Sequence, residues 1–441
     1  MTKNTLLSNT LLSAEYFNSI SQALTQAGAY RPTLVVDKQR LDENLDALIS
    51  VIETGFDYRI VAKSLPSVPL LKYIMQRSGS NRLMSFHLPF LLHVVENLPE
   101  ADILLGKPMP VAGARQFYQW FESQTNSRFV PAQQLHWLVD SVERLRQYQD
   151  LAKDLSCANN HCTMNISLEL DVGLHRGGFN ADTDAGRADL RQALDILHAD
   201  TRLKLTGLMG YEAHVSKIPS FAGGSKKAFK MAMLSYQTCV KQVVEVFGQD
   251  ATDSLITNAG GSSTYPLYNK SNPQCSFISE IATASALVKP TDFDAHTLTH
   301  HKPACFIAAP VLKLVNKPEI PMLKGLSQFL LTIGLLPKQA CFIYGGNWLA
   351  TPCFPADSKR SSIFGHSSNQ EMYELKEGHS LKVDDYFFFR PTQSEAVFLQ
   401  FGEIAVYEEG SIVDWWPIFH DKAVHSKHSD SEQINIEKER T

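Results

Sequence analysis

From about residue 33 to residue 290, short β-branched or apolar runs alternate with longer amphipathic stretches, and a chain with that rhythm builds βα units around a parallel sheet. The expected strands are Leu34–Asp37, Arg59–Lys63, Arg82–Phe86, Asp102–Gly106, Leu135–Asp140, Asn165–Asp171, Leu203–Gly210 and Ser254–Gly260. Eight strands suffice to close a (β/α)8 barrel. The run from Arg59 to Lys63, apolar between its ends, suits a parallel strand covered on both faces. Behind Asp37, a candidate N-cap, Leu41, Leu45, Leu48 and Ile52 recur at helical spacing. Further helices are expected at Pro66–Arg77, Pro110–Gln124, Ser141–Leu155, Ala185–Ala199 and Lys226–Phe247. After about Pro290 the rhythm changes. Segments at Cys305–Val315, Gln339–Asn347, Ser380–Phe389, Ala396–Phe401 and Glu403–Tyr407, separated by turn residues, predict an all-β domain packed on the barrel. The expected organisation is an N-terminal extension (1–30), a barrel (31–290), a β-domain (291–424) and a polar tail (425–441).

Composition excludes several classes. Of 441 residues, 44% are hydrophobic and 20% charged, enough apolar material for a core and unlike a disordered chain. Lys plus Arg number 41 against 46 Asp plus Glu, a net charge of −5 that argues against a partner such as nucleic acid. The seven cysteines are odd in number and form no Cys-x-x-Cys pair, so neither a disulfide framework nor a zinc ribbon is indicated. Residues 1–12 lack the continuous apolar stretch of a signal peptide, and no 18-residue apolar run offers a membrane span. A soluble cytoplasmic protein with no membrane partner is the expectation.

In a (β/α)8 barrel, reactive groups sit at the C-terminal ends of strands. Four such ends carry chemistry. Arg59 to Ser64 closes a buried-looking strand with Lys63, which is either a solvated lysine marking the strand's exit or an amine able to form a Schiff base with a carbonyl. Leu168 to Phe179 runs from Asp171 into Gly173, His175, Arg176 and a glycine pair, delivering imidazole and guanidinium groups to the rim, unless Asp171 and Arg176 only terminate a strand. Gly207 to His214 ends with Tyr211, Glu212 and His214 within four residues. Asn258 to Thr264 opens into Gly260, Gly261, Ser262 and Ser263, whose backbone N–H groups and hydroxyls suit a phosphate, although Gly/Ser turns are common. An early strand-end lysine, an Arg/His rim and a late phosphate cradle together describe a site for pyridoxal 5′-phosphate.

Thr33 to Asp37 with Asn44, Val61-Ala-Lys-Ser64, Leu170-Asp-Val-Gly-Leu-His-Arg176, Gly207-Leu-Met-Gly-Tyr-Glu-Ala-His214 and Gly260-Gly-Ser-Ser-Thr264 resemble, in that order, the fold-type III pyridoxal-phosphate enzymes, and most of all their D-threonine aldolase and D-serine dehydratase branch. The resemblance covers about residues 30–420. It implies a homodimer acting on a small amino-acid substrate. It also implies that Lys63 holds the cofactor's aldehyde, that Arg176 lies near its phenolic oxygen, with His175 and Asn258 also about the cofactor, and that Tyr211 and His214 face the ring or the substrate. Gly260, Gly261, Ser262 and Ser263 would hold the phosphate, and Ser279 with Glu280 stands where the family has a Thr-Glu pair. One departure stands out. The branch coordinates a divalent metal through a Pro-Asn-His-x-Cys or Pro-Asn-His-x-Asp segment, and the corresponding stretch here, Arg390 to Val397, has Gln393 in place of the imidazole while Glu395 keeps an oxygen ligand. Gln393 and Glu395 are therefore either a residual metal pair, contacts to a polar substrate group, or ordinary polar residues. The implied activity is that of a lyase on a D-β-hydroxy or other β-substituted amino acid, by deaminating elimination or retro-aldol cleavage. An amino-acid racemase is the rival enzyme, and a non-catalytic pyridoxal-phosphate carrier the rival of another class.

Overall fold

Strands of a parallel sheet must be apolar on both faces, and the wall of this molecule obeys that rule: Leu135–Val139 is buried at every position, and Met164–Leu170 at all but one. The computed structural model describes residues 12–420 apart from 125, 126, 160–162, 321, 334, 335 and 363, so the polar tail lies outside the described residues. In chain order the strands are β1 (Thr33–Asp37), β2 (Asp57–Val61), β3 (Arg82–Ser85), β4 (Asp102–Leu105), β5 (Leu135–Val139), β6 (Met164–Leu170), β7 (Leu203–Gly210), β8 (Ile256–Ala259) and β9 (Glu280–Thr283). After them come β10 (Cys305–Asn316), β11 (Gln339–Ile343), β12 (Ala350–Phe354), β13 (Lys359–Arg360), β14 (Met372–Leu375), β15 (Tyr386–Pro391), β16 (Glu403–Glu408) and β17 (Ser411–Pro417). β2 to β9 close an eight-stranded parallel barrel, and β9 pairs with β2 to complete it.

The barrel was expected, but one of its strands is a different one. Leu34–Asp37, expected as the first barrel strand, belongs to the other sheet, where β1 pairs antiparallel with β10 and parallel with β16. The eighth barrel strand is β9, Glu280–Thr283, which was not among the expected strands. β1 looks locally like the opening of a βα unit because a helix does follow: Asp37 caps Lys38–Ile52, its Oδ1 accepting the Arg40 N–H at 3.0 Å.

The second sheet has nine strands, running β13-β14-β11-β10-β1-β16-β17, with β15 pairing β10 and β12. All its pairings but β1 with β16 are antiparallel. It is not purely β. Ala396–Phe401, expected as a strand, is instead the end of the helix Ser394–Phe398 and the turn after it, a single helical turn sufficing to bury Val397 and Phe398, and a second helix spans Lys324–Thr332. On its outer face the N-terminal helix Ala14–Gln26, capped by Ser13, buries Phe17, Ile20, Ala23 and Leu24 against Val35, Phe306 and Phe388. No helix among the described residues is long and apolar enough to cross a membrane.

Candidate active site

β2 ends at Val61, and one 3-10 turn, Ala62–Ser64, follows. Ala62 and Ser64 are buried, so the residue between them turns towards the barrel mouth. Lys63 there is 38% exposed. Its Nζ stands 3.5 Å from Glu395 Oε1 and 4.5 Å from the centre of the Phe86 ring, which leaves the barrel after β3. Around it opens a cavity of about 490 Å3 whose wall includes Lys63, Phe86, Glu169, Arg176, Tyr211, Asn258 and Gly260 to Ser263, with Gln393 and Glu395 contributed by the second sheet's side. The mouth of a barrel covered by a second domain is a usual place for a small-molecule site.

Two strands round the barrel from β2, β8 runs into the glycine–serine loop. Gly260 takes a left-handed φ of +89°, and its N–H donates to Glu212 Oε2 at 3.2 Å. The carbonyl of Gly261 accepts from the N–H groups of both Thr264 and Tyr265, closing the turn. Among the described residues the N–H groups of Gly261, Ser262 and Ser263 find no acceptor, although all three residues line the cavity. The Ser262 hydroxyl is pinned from behind by Thr283 Oγ1 at 2.8 Å and by the Ala286 N–H at 3.0 Å. Space is tight: a Cβ on Gly261 would lie 2.7 Å from the Tyr211 ring. Asn258 lines the cavity but turns its amide inward, donating to Glu280 Oε1 at 2.7 Å.

Arg176 reaches the cavity with its guanidinium 5.7 Å from the centre of the Tyr211 ring. Burial pushes the Tyr211 phenol above its usual pKa, helped by Glu212 and opposed by Arg176. The two histidines do not join the cavity wall. His175, 74% exposed, gives Nδ1 to Asp171 at 2.9 Å, and Asp171 also collects the N–H groups of Gly173 and His175 and the Asn180 amide. Burial opposes ionisation of Asp171, but these hydrogen bonds outweigh it and hold the carboxyl below the usual range. His214 packs against Gly173 and has a buried Nδ1 without a partner among the described residues, and burial lowers its pKa.

From the second sheet, Arg390 forks onto Asp294 at 2.9 and 3.0 Å, and Gln393 Nε2 donates to Asp292 Oδ2 at 2.9 Å. Glu395 lies between the Lys63 ammonium and the Ser64 hydroxyl, which itself accepts from Ser285 at 2.9 Å. The amide of Gln393 is thus spent on a carboxylate and Glu395 on a cation. Among the described residues no three His, Cys, Asp or Glu side chains converge, so this donor set does not fit a divalent metal. Phe86 and Ser285 were not singled out by sequence as site residues, and Glu212 was named only with Tyr211 and His214 as the end of one strand, without a role of its own.

The family model of the alanine racemase N-terminal domain matches residues 36–275. No curated protein sequence matches the chain. Similar solved structures include the D-threonine aldolase of Filomicrobium marinum, with 13% identity, 88% of this chain and 94% of that one covered, and a TM-score of 0.65. The D-threo-3-hydroxyaspartate dehydratase of Delftia sp. HT23 follows with 15% identity, coverage of 88% and 97%, and a TM-score of 0.61. The alanine racemase of Clostridium difficile 630, in complex with cycloserine, gives 12%, 88% and 98%, and 0.61. At these identities the likeness is one of fold, and lyases and racemases share it. The barrel with its second sheet, and a family match over more than half of the sequence, lead to one assignment: the chain belongs to the alanine racemase N-terminal-domain family of fold-type III pyridoxal-phosphate enzymes.

Proposed function

We propose that this protein is a pyridoxal 5′-phosphate-dependent lyase acting on a D-configured β-hydroxy or other β-substituted amino acid. The residues fit the cofactor. Lys63 offers an amine to the aldehyde, and the open N–H groups of Gly261, Ser262 and Ser263 form a nest for the phosphate, in a loop where even a methyl group at Gly261 would not fit. Arg176 and Tyr211 flank the space between. Bound there, the cofactor supplies an electron sink for negative charge at the substrate's α-carbon.

The observation that carries the lyase reading is the 3.5 Å approach of Glu395 Oε1 to Lys63 Nζ. Two proton-handling groups stand side by side, one from the barrel and one from the second domain. Lys63 Nζ takes the α-proton, and Glu395 beside it relays that proton to the β-oxygen as the Cβ–O bond breaks and water leaves. For retro-aldol cleavage the same carboxylate instead takes the β-hydroxyl proton as the Cα–Cβ bond breaks. Glu395 thus serves at the β-oxygen without a metal. Racemisation is favoured by a different observation, that Tyr211 lines the same cavity as Lys63 and offers a second proton carrier.

Incubation with D-serine, D-threonine and D-threo-3-hydroxyaspartate tests the proposal. Keto acid with ammonia identifies elimination, and aldehyde with glycine identifies retro-aldol cleavage. Exchange of the α-proton with solvent without either product overturns the lyase reading in favour of the racemase.

A further inference from the structure

Strand β7 ends in a pair of residues that part company. Tyr211 faces the cavity, while Glu212, the next residue, is 0% exposed and turns behind the glycine–serine loop. Its two carboxylate oxygens both serve that loop, at its two ends: Oε2 accepts the Gly260 N–H at 3.2 Å and Oε1 accepts the Thr264 hydroxyl at 2.5 Å. No Lys, Arg or His side chain among the described residues forms an ion pair with it. A buried carboxyl without a counter-cation is costly, burial pushing its pKa up while the Thr264 and Gly260 bonds oppose that shift, and those two bonds tie it to the loop. By drawing the first N–H of the loop inward and tying down the Thr264 side chain, it leaves the three N–H groups between them, at Gly261, Ser262 and Ser263, without partners among the described residues, in a stretch that lines the cavity.

We infer that Glu212 is a positioning residue that sets this loop for a phosphate monoester and so makes the protein select pyridoxal 5′-phosphate over unphosphorylated pyridoxal. The inference rests on the cofactor reading above. Glu212 touches neither aldehyde nor phosphate. It acts through Gly260 and Thr264. A glutamine in its place keeps the volume but can accept with one terminal atom only, so with its oxygen on the Gly260 N–H the Thr264 hydroxyl loses its carboxylate acceptor and has only the Gly261 carbonyl, at 3.4 Å, to turn to.

The test is a pair of titrations of the full chain, freed of bound aldehyde, with pyridoxal 5′-phosphate and with pyridoxal, following the visible absorbance of each aldehyde attached at Lys63. Both ligands use the same lysine, so a general loss of structure lowers both affinities, whereas a misplaced loop lowers only that for the phosphorylated one. Wild-type protein is expected to favour the phosphorylated aldehyde strongly. In Glu212→Gln that preference falls by about tenfold, with pyridoxal binding unchanged, because the charge-assisted bond from the Thr264 hydroxyl is lost and the loop relaxes. Thr264→Val, which removes one clamp bond with little change of shape, shows a fall of a few-fold and decides the matter should the first variant not fold. A preference that survives both substitutions, or equal weakening of both ligands, overturns the role of Glu212 alone. Wild-type protein that binds both aldehydes equally overturns it together with the cofactor reading.

Discussion

Arg59 and Lys63 leave the same strand region four residues apart, and their surroundings are opposite. Arg59 is 0% exposed and all three of its nitrogens are engaged: Nε bonds Glu280 Oε1 at 2.5 Å, NH2 bonds Asp102 Oδ1 at 2.7 Å, and NH1 reaches the carbonyls of Leu83 and Asp102. Glu280 also takes Arg82 and Asn258, and Asp102 takes His136. Although burial opposes it, His136 and Arg59 hold the Asp102 carboxyl well below the usual range. Lys63, by contrast, has one carboxylate at 3.5 Å, one aromatic face and an open cavity. Charge in the lower half of the barrel is closed upon itself and holds strands together. Charge at the mouth is left with capacity to spare, the condition for binding something else.

The sharpest way to break this comparison is to remove each cation in turn. Lys63→Ala should leave the fold and the denaturation midpoint nearly unchanged but abolish covalent cofactor attachment, with turnover falling on the order of 10^3-fold or more. Borohydride reduction and peptide mapping of the wild-type protein should place the label on the peptide containing Lys63, and label elsewhere would remove its assignment. Arg59→Met should do the reverse. It leaves Glu280 and Asp102 short of a buried partner and should destabilise the fold by about 3–5 kcal/mol, read by urea denaturation. Cofactor attachment to the protein that remains folded should persist.

How much of this contrast the sequence carries depends on how local each signal is. The barrel was legible because each strand's apolar run and each following helix lie within a few tens of residues, and Asp37 caps its helix as its position suggests. β1 was misallotted because its partners are Cys305 to Ala308 and Ile404 to Tyr407, hundreds of residues away, and nothing within the strand distinguishes the two sheets. That Lys63 and the Gly260–Ser263 loop stand at strand ends on one cavity was legible in the same local way. The inward turn of Glu212, the ring of Phe86 beside Lys63 and the pairing of Glu395 with that lysine were not, since each depends on which strand lies next to which.

Between the two layers sits His301, 2% exposed, whose Nε2 meets the Tyr265 hydroxyl while the histidine's carbonyl accepts from Lys289. Burial, with Lys289 nearby, pushes its pKa down to about 4. A base with a depressed folded pKa stays neutral in the native state while the unfolded chain takes up the proton. Its contribution is therefore intact above the ordinary value of 6.5 and is lost as pH falls from there towards 4, to an extent on the order of 3 kcal/mol. Urea midpoints measured against pH for wild type and His301→Gln should converge over this window. Parallel curves would mean that the group is not held neutral, and that the ground behind the loop resembles the closed lower layer.

A smaller effect is expected at the loop itself. Gly261→Ala places a methyl 2.7 Å from the Tyr211 ring, and that ring can yield only by moving into the cavity. Affinity for pyridoxal 5′-phosphate should fall by about tenfold while the denaturation midpoint shifts little, since the displaced ring borders open space. A large loss of stability with unchanged affinity would show that the loop is part of the packed scaffold and not of the binding surface.

Smallest of all should be the effect at Gln393, which lies at the mouth yet behaves like the lower layer, its amide already committed to Asp292 at 2.9 Å. Gln393→Ala removes one exposed hydrogen bond to a carboxylate, worth about 1 kcal/mol or less, and leaves the Glu395–Lys63 pair in place. Turnover of the preferred D-amino acid should stay within about threefold of wild type, and a chelator should change neither protein. Strong inhibition of the wild type by chelator, relieved by a divalent cation, would mean that Gln393 and Glu395 abandon their partners to take up a metal. The carboxylate beside Lys63 would then lose its part in moving protons, and the boundary between closed and open charge would have to be redrawn through this corner.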